Sequence, residues 1–198
     1  CEKIANYYKD LYTRFYNEAD FDLALSYMNR QLAVRENCYY LVERGRIYMS
    51  AYKLEEAIKD FEKALEYVDN DWASYNNMGC CYKYMGQFEK AIECLEKAVE
   101  CMGEDKSVLP YSNMADCYEA LGDYRKAIWC YEKDLEMFPY RKTFRKEIGL
   151  LYQYLEDYDS ALRYFEMEPE LEDYYENGAM IQYLKGRKKE AVKTYVKG

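Results

Sequence analysis

The chain has 198 residues, half of them apolar and a third charged, with only three prolines and nine glycines. That balance fits a well-packed helical protein and excludes a disordered chain or one strung on long structureless linkers. The net charge of −9 argues against a nucleic-acid surface, and no apolar run approaches the roughly 20 residues that cross a bilayer.

Along the chain, the same pattern recurs about every 34 residues. A weak copy carries Tyr8, Phe15, Phe21, Ala24 and Met28, and the next carries Leu41, Gly45, Tyr48, Leu54, Ala57, Phe61 and Ala64. The clearest copy runs Tyr75, Met78, Gly79, Tyr82, Gly86, Phe88, Ala91, Leu95, Ala98. Tyr111, Met114, Ala115, Tyr118, Gly122, Tyr124, Ala127 and Tyr131 repeat it, as do Ile148, Gly149, Tyr152, Tyr158, Ala161 and Phe165. A last copy, with Tyr175, Ala179, Gly186 and Ala191, breaks off before its second half is complete.

Each copy reads as two amphipathic helices. Tyr75, Met78, Gly79 and Tyr82 follow the i, i+3, i+4, i+7 spacing of one helix face. Gly86 suits the left-handed conformation that ends a helix. Phe88, Ala91, Ile92, Leu95 and Ala98 then form a second apolar stripe, with Glu89, Lys90, Glu93, Glu96 and Lys97 opposite. Gly79 and Ala91 leave no bulk between the two helices, so they can approach closely. Self-similarity at this period implies an all-α solenoid, in which no unit buries its apolar face alone.

Eight cysteines form no CxxC pair, and no histidine accompanies them, which removes a Cys/His zinc site. Cys81 and Cys117, like Cys94 and Cys130, recur at equivalent places in successive copies, so they read as packing residues in a reducing compartment. No Gly-rich phosphate loop, nucleophile elbow or metal-spaced carboxylate set appears, and the usual proton shuttle, histidine, is missing. The reading is of no enzyme, no cofactor and no metal. Paired acids such as Glu55-Glu56 read as solvation.

The alternation of large, small and aromatic residues at Tyr75, Gly79, Tyr82, Ala91, Leu95 and Ala98 resembles the tetratricopeptide repeat, a helix-turn-helix of 34 residues. The resemblance covers nearly the whole chain as one array over 1–198, with repeats near 5–37, 38–71, 72–107, 108–141 and 142–171, and an incomplete one at 172–198. It implies a right-handed superhelix of stacked antiparallel helix pairs. Departures stand at Tyr12, Arg44 and Asp134; the last is expected to expose its turn. The extra residues in Cys101–Pro110 and the helix stop at Pro169 are expected to disturb the array.

By that resemblance, a concave groove is lined by the first helix of each pair, at positions between the packing residues. Here these are Tyr39, Val42, Arg46 and Met49; Asn76, Cys80, Lys83 and Tyr84; Ser112, Asp116 and Glu119; and Lys146, Gln153 and Tyr154. The set is polar and aromatic, suited to an extended peptide or a partner helix. The pair of Lys and Asn with which some family members grip a C-terminal carboxylate is not reproduced: Lys9 meets Thr13, Val42 meets Arg46, Asn76 meets Cys80. Asp116 and Glu119 suggest a partner with basic or neutral side chains. Most of the 26 tyrosines fall on packing positions, leaving Tyr16, Tyr39, Tyr84, Tyr154 and Tyr183 spare for contact.

The resulting expectation is a cytoplasmic scaffold or adaptor that binds a protein or peptide partner, with no nucleic acid and no membrane. Two alternatives remain: a self-associating structural module, or the regulatory part of a longer protein, since the chain starts inside helix-like sequence at Cys1 and stops mid-repeat at Gly198.

Overall fold

The computed structural model describes residues 2–103, 110–167 and 174–195, and among these all regular structure is helical. The helices are α1 (Glu2–Asn17), α2 (Phe21–Val34), α3 (Cys38–Ser50), α4 (Leu54–Tyr67), α5 (Trp72–Tyr84) and α6 (Phe88–Met102). They continue as α7 (Pro110–Ala120), α8 (Tyr124–Met137), α9 (Thr143–Tyr154), α10 (Tyr158–Glu166), α11 (Ala179–Leu184) and α12 (Lys188–Tyr195). A π-helical turn, Tyr174–Gly178, leads into α11. The chain gathers into two compact units, Cys1–Cys117 and Tyr118–Gly198.

Consecutive helices pack as pairs, α1 with α2, α3 with α4 and α5 with α6 in the first unit, α9 with α10 and α11 with α12 in the second. Helices this short are marginal alone in water, so packing of the apolar stripe holds them. Asp20, Asn37, Asp71, Asp123 and Asp157 start α2, α3, α5, α8 and α10, each accepting a hydrogen bond from the backbone N–H three residues on. Lys53 and Gln87, at the equivalent place before α4 and α6, supply no such bond.

The turn inside each pair passes through a left-handed residue at one fixed place. Gly86, Gly122 and Gly186 take it at φ of 72°, 76° and 76°, whereas Ala19, Tyr52 and Glu156 take it at 59°, 57° and 59°. For a residue with a Cβ that conformation costs about 1–2 kcal/mol.

The close approach expected at Gly79 is present. A Cβ there would stand 2.6 Å from Leu95 Cγ and 3.1 Å from the Ala91 carbonyl oxygen. Gly149 makes room for Phe165 in the second unit in the same way, at 2.8 Å. In the first unit, two clusters of the core among the described residues gather around Leu25, Met28, Leu32 and Leu41 and around Ile58, Phe61, Met78 and Cys81. In the second, Ala161, Leu162, Phe165 and Ile181 form the cluster.

The three sequence departures are resolved by burial and pairing. Tyr12 is buried, and burial, then the neighbouring Tyr39 hydroxyl, raises its phenol above the ordinary value. Arg44 donates Nε and Nη2 to the buried Asp60 at 2.7 and 2.6 Å and Nη1 to Asn29 at 2.8 Å. Asp134 corrects the expectation of an open turn: it is 0% exposed and accepts two bonds from Arg141 at 3.0 and 3.1 Å. The disturbance expected at Pro169 lies outside the described residues, as does most of the Cys101–Pro110 segment; α6 itself ends at Met102, before Gly103 at φ 58°. Among the described residues no helix is long and apolar enough to cross a membrane.

Candidate functional site

In the first unit, α3 and α5 bring several of the sequence-selected residues to the surface. Tyr39 is 50% exposed and Tyr84 60% exposed. Lys9 lies 5.6 Å from the centre of the Tyr39 ring, and Lys83 lies 5.8 Å from that of Tyr84, within reach of cation–π attraction. Arg46 is exposed and bonded to Glu43 one turn back at 3.0 Å.

Other members of the set are more occupied than their spacing suggests. Val42 packs against both clusters of the first unit and Met49 against the second, so both serve the core. Asn76 is buried, and its Oδ1 has no hydrogen-bond partner among the described residues. Cys80 is half-buried, and burial pushes its thiol up, which removes it as a nucleophile at neutral pH. Lys83 reaches across to α7, donating to Asn113 Oδ1 at 2.8 Å and Asp116 Oδ2 at 2.7 Å. Asp116 therefore already holds a cation. Ser112 is half-buried on the same helix.

In the second unit, Glu119 accepts from the Tyr131 hydroxyl at 2.7 Å, so it too is engaged within the fold. Asp116 and Glu119, the two acids expected to favour a partner with basic or neutral side chains, thus both have partners within the fold. On α9, Lys146 is half-buried; Gln153 is half-buried with its Oε1 enclosed and unpartnered among the described residues. Tyr154 is 72% exposed and stacks on Tyr124 at 5.7 Å with 24° between the rings. On α11, Met180, Tyr183 and Leu184 are all more than half exposed.

Of the tyrosines read as spare, Tyr39, Tyr84, Tyr154 and Tyr183 are exposed, whereas Tyr16 is half-buried against Phe21 and hydrogen-bonded to Ser50 Oγ at 3.0 Å. The sequence reading missed Tyr52, which is 79% exposed and lies 6.4 Å from Tyr84. The signal was there: Tyr52 stands at the turn position that three other repeats give to glycine. It also missed Trp129, 48% exposed on α8.

Burial raises the Cys81 thiol to about 12 and the Cys117 thiol to about 11, in keeping with packing roles. Among the described residues no group of His, Cys, Asp or Glu is placed to hold a metal ion.

A family model described as tetratricopeptide repeat matches residues 37–104 and again 73–139. No curated protein matches the chain in sequence. Solved structures share the fold. The structure of MamA residues 41 to the end from Desulfovibrio magneticus RS-1 aligns at a TM-score of 0.73 and 19% identity, over 85% of this chain and 95% of that one. PilF of Pseudomonas aeruginosa aligns at 0.77 and 14% identity, over 98% and 89%. YrrB, described as a tetratricopeptide repeat protein with an unusual peptide-binding site, aligns at 0.69 and 18%, over 84% and 88%.

Proposed function

The chain belongs to the tetratricopeptide repeat family, and we propose that it is a protein-interaction module that grips a peptide segment or helix of a partner along its first helices. One observation carries the reading. Tyr39, Tyr84 and Tyr154, on three different first helices, are at least half exposed, while a packing tyrosine such as Tyr131 is 4% exposed. Aromatic rings held open to water supply contact area with little rotamer entropy to lose, which suits binding anchors. The peptide-binding site of YrrB supports the choice of ligand class.

Arg46, Ser112, Lys146 and Gln153 complete the surface as polar contacts. Lys83 and Asp116, being bonded to each other, present a neutralised pair rather than separate charges. The module acts by recognition rather than catalysis, and the buried cysteine packing supports a reducing, cytoplasmic setting. Capture of partners by the wild type and by the Arg46→Glu, Tyr84→Ala double variant, compared by quantitative mass spectrometry, tests the reading. The variant is expected to lose its specific partner about tenfold or more; equal recovery removes the first-helix face.

A second reading, self-association, draws on the exposed Met180, Tyr183 and Leu184 of α11. Light scattering behind size-exclusion chromatography decides it: a mass that stays monomeric at all concentrations removes it.

A further inference from the structure

Helix α8 departs twice, one turn apart, from what solvation and the helix dipole favour. At one place on the outward face of the second helices stand the exposed Ser26, Lys59, Glu93 and Arg163; α8 puts Trp129 there. One turn earlier, α2, α4, α6 and α10 carry Asp22, Glu55, Glu89 and Asp159, acids that favour a helix N-terminus; α8 carries Arg125. Both departures line the same cavity.

That cavity lies wholly within the second unit and measures about 160 Å³, close to the ~150 Å³ that holds a benzene-sized group in an engineered core. Ile128 and Leu155 give it apolar lining, Trp129 and Tyr152 its aromatic lining, and Glu132 and Asp157 its carboxylates. Glu132 accepts one bond, from the Tyr164 hydroxyl at 2.6 Å, and Asp157 caps α10 through Ser160 at 3.2 Å. A carboxylate offers about four lone-pair directions, so each has capacity left. Within the lining Arg125 is the one cation against two carboxylates; from outside it, Arg163 of α10 also acts on Asp157 and Tyr152. At Tyr152 the balance is visible: after burial, Glu132 and Asp157 push its phenol up by more than Arg163 and Arg125 pull it down.

We propose that this cavity is a second docking site, separate from the first-helix face, and that it receives one arginine or lysine side chain of a partner protein. The aliphatic stem lies along Ile128 and Leu155, as long cationic side chains do on apolar surface. The charged head meets the Trp129 and Tyr152 rings and the two carboxylates, where cation–π attraction and charge act together. An acidic side chain would gain Arg125 and face both carboxylates. A neutral one of the same shape would keep only the stem contacts.

The chain has two tryptophans, Trp72 and Trp129, so Trp72→Phe leaves Trp129 as the sole indole reporter in the 198-residue chain. Titrating this protein with acetyl-Gly-Arg-Gly-amide is expected to change Trp129 emission saturably. The citrulline tripeptide, equal in shape and neutral, is expected to bind about tenfold more weakly. The Gly-Glu-Gly tripeptide is expected to give no saturable change. Glu132→Gln keeps an acceptor for Tyr164 and so preserves the local fold; it should weaken the arginine tripeptide about fivefold and leave the citrulline response unchanged. Lys59→Ala, on the outward face of α4 in the first unit, should leave this titration unchanged, and the first-helix reading is tested separately by partner capture, so a failure here is distinct from a failure of that reading. Equal responses to arginine and citrulline, a stronger response to glutamate, or a flat trace with all three overturns the proposal.

Discussion

In the first unit the buried Asp60 receives two short bonds from Arg44, a residue fixed on the neighbouring helix and tied again to Asn29. In the second unit the fully buried Asp134 is met at 3.0 and 3.1 Å by Arg141, which sits in the loop after the helix and stacks 4.6 Å from the Phe138 ring. Both carboxylates are enclosed, but one is met by an arginine on the adjacent helix and the other by an arginine in a loop. At Asp134 burial raises the pKa above the ordinary value despite the arginine. The surfaces differ in the same sense. The first-helix face of the first unit pairs its charges within itself, through Lys83 with Asp116 and Arg46 with Glu43. The exposed first-helix side chains of the second unit include Tyr154, Met180, Tyr183 and Leu184. One unit offers a neutralised polar surface rimmed by aromatics, the other sets exposed apolar and aromatic side chains beside Lys146 and Gln153.

Removing the arginines separates the units most strongly. Arg44→Ala and Arg141→Ala each leave a buried acid without its cation, a change that costs about 3 kcal/mol or more. Hydrogen exchange should show Arg44→Ala loosening α3 and α4, and Arg141→Ala loosening α8. The Arg141 effect should be the smaller, because Arg44→Ala also removes the bond to Asn29. An equal cost at neutral pH would remove the distinction.

Next come the helix contacts. Gly79→Ala and Gly149→Ala push a methyl into Leu95 and Phe165, and overpacking of this kind costs about 1–3 kcal/mol. Denaturant unfolding of both variants checks this; a neutral result for Gly79→Ala would show that Leu95 swings clear.

The pH dependence of Asp134 has a definite sign. Its raised native pKa means the native state holds that proton more tightly than the unfolded chain, so its stabilising contribution is complete below the ordinary 3.8 and is lost as pH rises through the native value. Thermal unfolding of the wild type and of Asp134→Asn should therefore show the wild type losing ground to the variant as pH rises from 3.8, then a constant gap. A gap that shifts the other way would mean that Arg141 dominates.

The smallest effect is at the turns. Glu156→Gly relieves a left-handed residue at φ 59° at the entropic cost of a glycine, for a net gain of about 0.5–1 kcal/mol. A loss of stability would place Glu156 in a contact worth more than the strain.

The helix pairs were legible because their determinants are local: apolar spacing, Gly79 opposite Leu95, a glycine at the turn. The surface was legible only in part. Position in the repeat says which side of a helix a residue occupies, and it located Tyr39, Tyr84 and Tyr154. It cannot say that Lys83 crosses to α7 to neutralise Asp116, or that Tyr131 binds Glu119, since those pairings depend on side chains 33 and 12 residues apart. Asp134 shows the same limit. As a sequence letter it predicts exposure, and only the position of Arg141 makes burial tolerable. Trp129 was visible in principle as the odd residue at an otherwise polar position, but only a comparison of second helices with one another exposes it.

The central claim is that a protein partner lies along the first helices. Photo-crosslinking tests it most directly, with a benzophenone amino acid placed at Tyr39, Tyr84 or Tyr154, and at the outward Lys59 or Glu93 as controls. The account predicts one partner attached from the three tyrosine positions and none from the two controls. Crosslinks arising equally from Lys59 and Glu93, or from them alone, would contradict it.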